Sequence, residues 1–276
     1  MSLIQALIIA ILQGATELFP ISSLGHAVIL PHVLGWALDQ KAPDFLPFLV
    51  VLHLGTATAL LLYFWRDWLG FAQAILGRSE TKFIQRERKI FILVCVATLP
   101  AVILGFMLEH ILRSFFGSPV LASGFLIVNG FILFIGERIK KSGRKNLEDV
   151  NWKTALAIGA CQALALIPGI SRSGSTIVGG VLAGLTHKES ARFSFLLATP
   201  VIAGAGVLEV PKLLRLHDAI TLHIGMMVMA GVVAGITAWV STFLLMRYFK
   251  REEIEALDPF AYYCWAAGAL ALVILL

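Results

Sequence analysis

Six stretches of about 20 residues, at roughly 45–65, 90–108, 118–136, 193–210, 222–246 and 259–276, carry one charged side chain between them, Glu209. Few folds are open to such runs. A helix of ~20 apolar residues matches the hydrocarbon core of a bilayer and satisfies its own backbone hydrogen bonds there. A membrane-spanning barrel would show short alternating segments instead. The expected fold class is therefore an all-α polytopic membrane protein, a single membrane domain over 1–276. Charged residues make up 14% of the chain, against about 25% in soluble domains. The net charge of +5 therefore does not indicate nucleic acid, which is not an expected partner; the lipid bilayer is.

The basic residues set the orientation. Segments 66–89, 137–153, 186–192 and 247–258 hold 17 Lys and Arg, whereas Lys41, Arg113, Lys212 and Arg215 are the four in the other loops. The positive-inside rule puts the first set in the cytoplasm. Two further segments, 3–36 and 154–185, are apolar but interrupted by Pro, Gly and polar residues. Since 153 and 186–192 are both inside, 154–185 must return to the side it left. By the same parity 3–36 begins and ends outside, which makes both termini extracytoplasmic. The start of the chain, with Gln13 and Glu17 and no basic region, reads as part of the membrane domain rather than a signal peptide. Cys95, Cys161 and Cys264 lie far apart in apolar segments and read as buried small hydrophobes.

The interrupted segments also resemble each other. At an offset of 149 residues, Gln13, Ile21, Ser22 and Gly25 match Gln162, Ile170, Ser171 and Gly174. Each half, about 1–150 and about 151–276, then reads as one broken hairpin, re-entrant or made of two short crossings, followed by three transmembrane helices. The halves enter from opposite faces as an inverted-topology repeat. Broken helices of such repeats meet near the midplane and form the site.

The second interruption, 168-PGISRSGSTIVGG-180, places an arginine and several hydroxyls at membrane depth. Pro168 and Gly169 end one helix, Ser171 or Ser173 can cap the next, and Ser175–Thr176 open it. A helix N-terminus offers free N–H groups and partial positive charge. Arg172 adds a planar fork that grips phosphate bidentately. Ser171, Ser173, Gly174 and Thr176 complete an anion site. The bland alternative is an Arg172 that snorkels or pairs with a carboxylate, with serines joining helices. Intramembrane ionisable residues are more often functional.

The first interruption, 13-QGATELFPISSLGH-26, sets Gln13 and Glu17 on one helix face. Pro20 breaks that helix, and Ser22 or Ser23 can cap the one after it. Ser23 and His26, three apart, are spaced to meet as a nucleophile and its base. Glu17 would orient His26 or bind a metal, with Gln13 as a second ligand. A diphosphate brings two or three negative charges; Arg172 offsets one and Glu17 adds one, so the balance calls for a divalent cation, and magnesium suits it. His32 and His53 are weaker candidates, and Asn129 reads as a bond between helices.

On these residues the chain resembles the bacterial undecaprenyl-diphosphate phosphatase family, the bacitracin-resistance type. The family's Glu/Gln-x-x-x-Glu motif matches Gln13 and Glu17, its Pro-x-Ser-Ser-x-x-His matches Pro20, Ser22, Ser23 and His26, and its PGxSRSG followed by Thr matches Pro168 to Gly174 and Thr176. The position of Gln13 is Glu in many members, which puts more metal-binding weight on Glu17. The resemblance implies hydrolysis of undecaprenyl diphosphate to the monophosphate. That reaction recycles the lipid carrier of peptidoglycan and other envelope polymers and confers bacitracin resistance. The resemblance also implies the re-entrant form of both hairpins, a divalent cation, Mg2+ or Ca2+, a polyprenyl diphosphate lipid as substrate, and a site in the cytoplasmic (inner) membrane open to the extracytoplasmic side.

The expected mechanism has Arg172, Ser171, Ser173, Thr176 and the helix N-terminus hold the diphosphate, while Glu17 with Gln13 holds the metal. Ser23, activated by His26, attacks the terminal phosphorus; direct attack by His26 or by water stays open. A lipid transporter is the first rival, because inverted repeats with broken helices serve carriers equally well. The KX6RP–PSGH–SRX5HX3D class of lipid phosphatase is a poor match: PSGH is absent, and six residues after Arg172 stands Val178, where that class has His. The sequence leaves chain-length preference and oligomeric state open, a homodimer included.

Overall fold

The structure, a computed structural model, describes residues 1–38, 40, 42, 45–77, 81–108, 118–139, 143–215, 217–252 and 254–276. Lys41, Arg78, Arg113, Lys140 and Lys141 of the charge count lie outside the described residues. Among those described, the chain is all helical: α1 (Leu3–Thr16), α2 (Ser23–Val33), α3 (Phe45–Tyr63), α4 (Trp65–Ile75), α5 (Lys82–Met107), α6 (Pro119–Ile139), α7 (Trp152–Ala163), α8 (Arg172–Leu182), α9 (His187–Arg215), α10 (His217–Arg251) and α11 (Asp258–Leu275). Five of them, α5, α6, α9, α10 and α11, contain segments long and apolar enough to cross a membrane unaided, and α3 joined to α4 makes a sixth.

Segment 66–89, read from sequence as a loop, is largely helical. α4 turns 78° away from α3. It is amphipathic, burying Gly70, Phe71 and Ala74, and Asp67 in its first turn pairs with Arg192 of α9. An apolar face combined with ion pairing lets a charge-rich segment pack as a helix instead of a solvated loop. α5 likewise begins at Lys82, capped by Thr81, well before its apolar run.

Both interrupted segments are broken hairpins, for local reasons. Ser2 and Gln5 form a reciprocal capping box that starts α1. Pro20 bars its continuation. Ser22 caps α2 with its hydroxyl on the Gly25 N–H (3.2 Å), and does so from a left-handed backbone, φ 68°. A non-glycine residue there is strained, and such strain collects at functional turns. Pro31 inside α2 leaves the Ala27 carbonyl without its helical donor; the Gln40 side chain donates to it (3.4 Å) and to Val28 O (2.9 Å). In the second hairpin, Asn151 caps α7, a single 3-10 turn over Leu164–Leu166 ends it, and Gly169 (φ 102°) reverses the chain.

Lipid tails provide no hydrophobic drive between spans, so close backbone approach through small residues does the joining. At the α3–α10 crossing, a Cβ on Gly55 would lie 2.0 Å from Gly231 O. α1 packs on α10, α7 on α5, α6 on α11, and α3 on α9. The broken hairpins thereby sit enclosed by full-length spans, with Phe193, Phe195, Leu196 and Leu197 of α9 fully buried behind them.

Candidate active site

The breaks of the two hairpins meet. A Cβ on Gly25 would lie 3.0 Å from the Gly169 Cα, and one on Gly174 would lie 3.3 Å from Pro20 Cβ, so glycine permits the contact on both sides. Asn129, fully buried on α6, fastens them. Its Nδ2 donates to Pro20 O (2.9 Å) in the first turn, and its Oδ1 accepts from the Ser171 N–H (2.9 Å) at the start of α8. Ser173 adds a bond from its hydroxyl to Phe19 O (3.1 Å).

Glu17 stands where the hairpins join. Its Oε1 accepts from Arg172 Nε (3.3 Å) and Nη2 (3.1 Å). Its Oε2 accepts from Ser23 Oγ (2.5 Å) and Gln13 Nε2 (3.1 Å), and lies 3.3 Å from His53 Nε2. The carboxylate is 6% exposed. A buried carboxylate survives at membrane depth only when paired and hydrogen-bonded in this way. Gln13 and Glu17 meet because they are one helical turn apart; Ser23 comes round because the chain reverses at Pro20 and restarts at Ser22.

Arg172 is the first residue of α8, so the helix opens there, three residues before the expected Ser175. Ser171 is the cap, its hydroxyl accepting from the Gly174 N–H (3.0 Å) and meeting Ser173 Oγ (3.1 Å). The guanidinium is aimed by a third bond, from Nη1 to Ser194 O (3.1 Å). Thr176 does not point at an anion: its hydroxyl donates back to Arg172 O (2.8 Å) and meets Ser194 Oγ (2.5 Å), tying α8 to α9. The serines and the threonine thus hold the turn in shape, while Arg172 and the first N–H groups of α8 supply the positive end.

The expected Ser23–His26 pair does not form. His26 Nδ1 lies 2.6 Å from Ser22 O, and its Nε2 lies 2.8 Å from the hydroxyl of Tyr263 on α11. Ser23 donates its hydrogen bond to Glu17 instead. Spacing of three allows two side chains to meet, but the Ser22 carbonyl one turn back claims the ring first. Nor does Glu17 orient His26. The imidazole beside Glu17 belongs to His53, whose Nδ1 is held by Leu49 O (2.7 Å). That carbonyl can only accept, so Nδ1 carries a hydrogen, and Nε2 is the nitrogen that faces the carboxylate. His32 is exposed and bonds Val28 O (3.1 Å), away from the cluster. Ser194 and His53 join the cluster from two different spans, and Tyr263 of a third meets His26 beside it. Only His53 carried any signal in the sequence, as an ionisable residue at mid-span.

Among the described residues no three His, Cys, Asp or Glu side chains come together as a metal cage. A cage is not what a diphosphate-bound cation needs: magnesium takes one or two protein oxygens and completes its shell with phosphate and water. Gln13 Oε1 is buried and has no hydrogen-bond partner among the described residues. With the Glu17 carboxylate beside it, the chain offers two hard oxygen ligands, and that set fits.

The chain matches the family described as bacitracin resistance protein BacA over residues 6–270. It is 53% identical to an undecaprenyl-diphosphatase of Granulibacter bethesdensis, over 99% of this chain and 96% of that one. It is 51% identical to the undecaprenyl-diphosphatase of Acidiphilium cryptum, over 98% and 97%. With the undecaprenyl-diphosphatase 2 of Chromobacterium violaceum the identity is 47%, over 99% of both chains.

Proposed function

The chain belongs to the bacitracin resistance protein BacA family, and from that premise we propose that it is an undecaprenyl-diphosphatase. It hydrolyses undecaprenyl diphosphate to undecaprenyl phosphate and inorganic phosphate, recycles the lipid carrier for peptidoglycan and other envelope polymers, and so confers bacitracin resistance. The observation that carries the chemistry is the position of Glu17, bonded at once to the Ser23 hydroxyl and to Arg172.

The isoprenoid tail stays among the helices in lipid, and the diphosphate enters between the hairpins. Its terminal phosphate competes with Glu17 Oε1 for the open edge of Arg172 and lies over the N-terminus of α8. Ser23 Oγ attacks the terminal phosphorus and passes its proton to Glu17 Oε2, which His53 supports from the other side. The bond from that phosphorus to the bridging oxygen breaks, and undecaprenyl phosphate leaves. His26, one turn further along α2, then takes a proton from the water that displaces phosphate from Ser23, and Glu17 returns its proton to the Ser23 oxygen as the phosphorus–oxygen bond breaks. Glu17 and Gln13 would hold a divalent cation, magnesium or calcium, which when bound neutralises charge on the diphosphate. The protein's share is positioning and charge stabilisation, which dominate phosphoryl transfer.

The architecture that supports this is an inverted repeat of about 1–150 and about 151–276. α2 and α8 are each 11 residues long and begin 149 residues apart. The partners are exchanged between halves: α1 lies on α10 of the second half, and α7 lies on α5 of the first. Both termini then face the extracytoplasmic side of the cytoplasmic membrane, and the site opens there. One chain holds the whole cluster, so each copy in a homodimer would carry a complete site.

Purified protein in detergent, given undecaprenyl diphosphate, is expected to release inorganic phosphate, and removal of divalent cations to stop it. Tight binding of substrate by well-folded protein with no phosphate released would contradict the reading and favour a lipid carrier.

A further inference from the structure

Tyr263 enters the site from α11, a span that no motif connects to it. Its hydroxyl is 2.8 Å from His26 Nε2, and the two rings stack with centroids 5.6 Å apart and planes 17° from parallel. The other ring nitrogen, Nδ1, lies 2.6 Å from the Ser22 carbonyl. A carbonyl only accepts, so Nδ1 carries a hydrogen. The neutral ring therefore presents its Nε2 lone pair to Tyr263, and the phenol donates to it. When the ring takes up a proton, the same phenol oxygen can accept from Nε2–H, because a hydroxyl serves as either partner.

This phenol is held by the scaffold that joins the hairpins. The neighbouring residue, Cys264, accepts from Asn129 Nδ2 (3.3 Å), the amide that also grips Pro20 O. A Cβ on Gly130 would lie 2.9 Å from Ala261 O, so α6 and α11 are in backbone contact one turn below. Tyr263 and His26 are thus registered on one rigid frame. A phenol within a span also needs a hydrogen-bond partner, and His26 is that partner.

We propose that Tyr263 is a positioning residue for the diphosphatase reaction: it holds the His26 ring, whose tautomer the Ser22 carbonyl sets, in one orientation, and its hydroxyl turns from donor to acceptor as Nε2 takes up the proton. The proposal rests on the reading of this site given above. Tyr263→Phe keeps the ring stack and removes only the hydroxyl. It is expected to lower kcat roughly ten-fold, the factor that about 1.4 kcal/mol represents, and to leave KM within about two-fold, because the contact is to His26 and not to substrate. In a His26→Ala background the same change should have no further effect. Histidine 15N spectra provide a readout independent of turnover, with His26 assigned by its disappearance in His26→Ala. Wild type should show a single Nδ1–H tautomer, and Tyr263→Phe the same tautomer with a displaced Nε2 resonance. Unchanged kcat in Tyr263→Phe, an equal loss in the His26→Ala background, or an unaltered His26 spectrum would each overturn the proposal. Absence of phosphate release by wild type would instead defeat the diphosphatase reading, with the spectra still deciding whether Tyr263 sets the ring.

Discussion

Replacing Asn129 by alanine tests whether the two hairpins depend on a common fastening. The side chain is fully buried, and it satisfies Pro20 O in one hairpin and the Ser171 N–H in the other, both at 2.9 Å. Asn129→Ala strands both groups. A buried backbone group left without a partner costs about 1–3 kcal/mol, so the pair should cost roughly 2–6 kcal/mol. For a chain near this size 1 kcal/mol shifts Tm by about 2–4 °C, and a loss of at least about 5 °C in detergent is expected. Activity should fall further than stability suggests. Pro20 and Ser171 set the positions of Ser23 and Arg172, and a misplacement of ~1 Å can cost on the order of 100-fold in rate. Ser123→Ala is the matched control: Ser123 is buried on the same helix, but its hydroxyl bonds back to Pro119 O of its own helix (2.8 Å). It should cost no more than about 1 kcal/mol and leave turnover intact. Asn129→Ala with the Tm and turnover of the control would refute the fastening.

Three further outcomes follow from the geometry. His53→Ala removes the imidazole from Glu17 Oε2 and should lower kcat on the order of 100-fold, the lower end for a group that handles a proton; phosphate-release kinetics with unchanged turnover would remove His53 from the site. Glu137 and His187 form a pair 2.8 Å apart, both almost fully buried. Glu137→Ala should destabilise by about 3–5 kcal/mol, read as a lower Tm, while kcat of the folded fraction is retained. Gly55→Leu forces a side chain into the backbone of α10, where even a Cβ would lie 2.0 Å from Gly231 O. Poor recovery of folded protein is expected, and a normal Tm would show that the crossing tolerates separation.

Much of this was legible in the sequence because it is local. Apolar run length marks the spans, Pro20 and Pro168–Gly169 mark the breaks, and Ser22 and Ser171 lie at the helix starts they cap. Gln13 and Glu17 touch because four residues make one turn. What was not legible has physical reasons. α4 was hidden by its charges, of which Asp67 pairs with Arg192 of α9. Ser194 and Tyr263 reach the site by tertiary packing, and nothing in their neighbouring residues encodes it; Asn129 and His53 stood out only as polar residues within spans. The Ser23–His26 expectation failed on a rule that applies three times in this chain. His26, His32 and His53 each turn Nδ1 to the carbonyl four residues earlier. In a span the i−4 carbonyl is the nearest acceptor, so Nδ1 is taken and Nε2 alone remains for other partners. Where Nε2 points then depends on the neighbouring helix: Tyr263 for His26, Glu17 for His53.

The account's central claim is that Glu17 and Arg172, 155 residues apart in sequence and hydrogen-bonded at 3.1 Å, form one phosphatase site. The most direct measurement is inorganic phosphate released from undecaprenyl diphosphate by purified protein in detergent with magnesium, wild type beside Arg172→Ala, each verified as folded by its Tm. The account predicts steady release by wild type and a loss of at least about 100-fold in the variant, the scale seen when a transition-state charge partner is removed. Near-normal release by folded Arg172→Ala would contradict it.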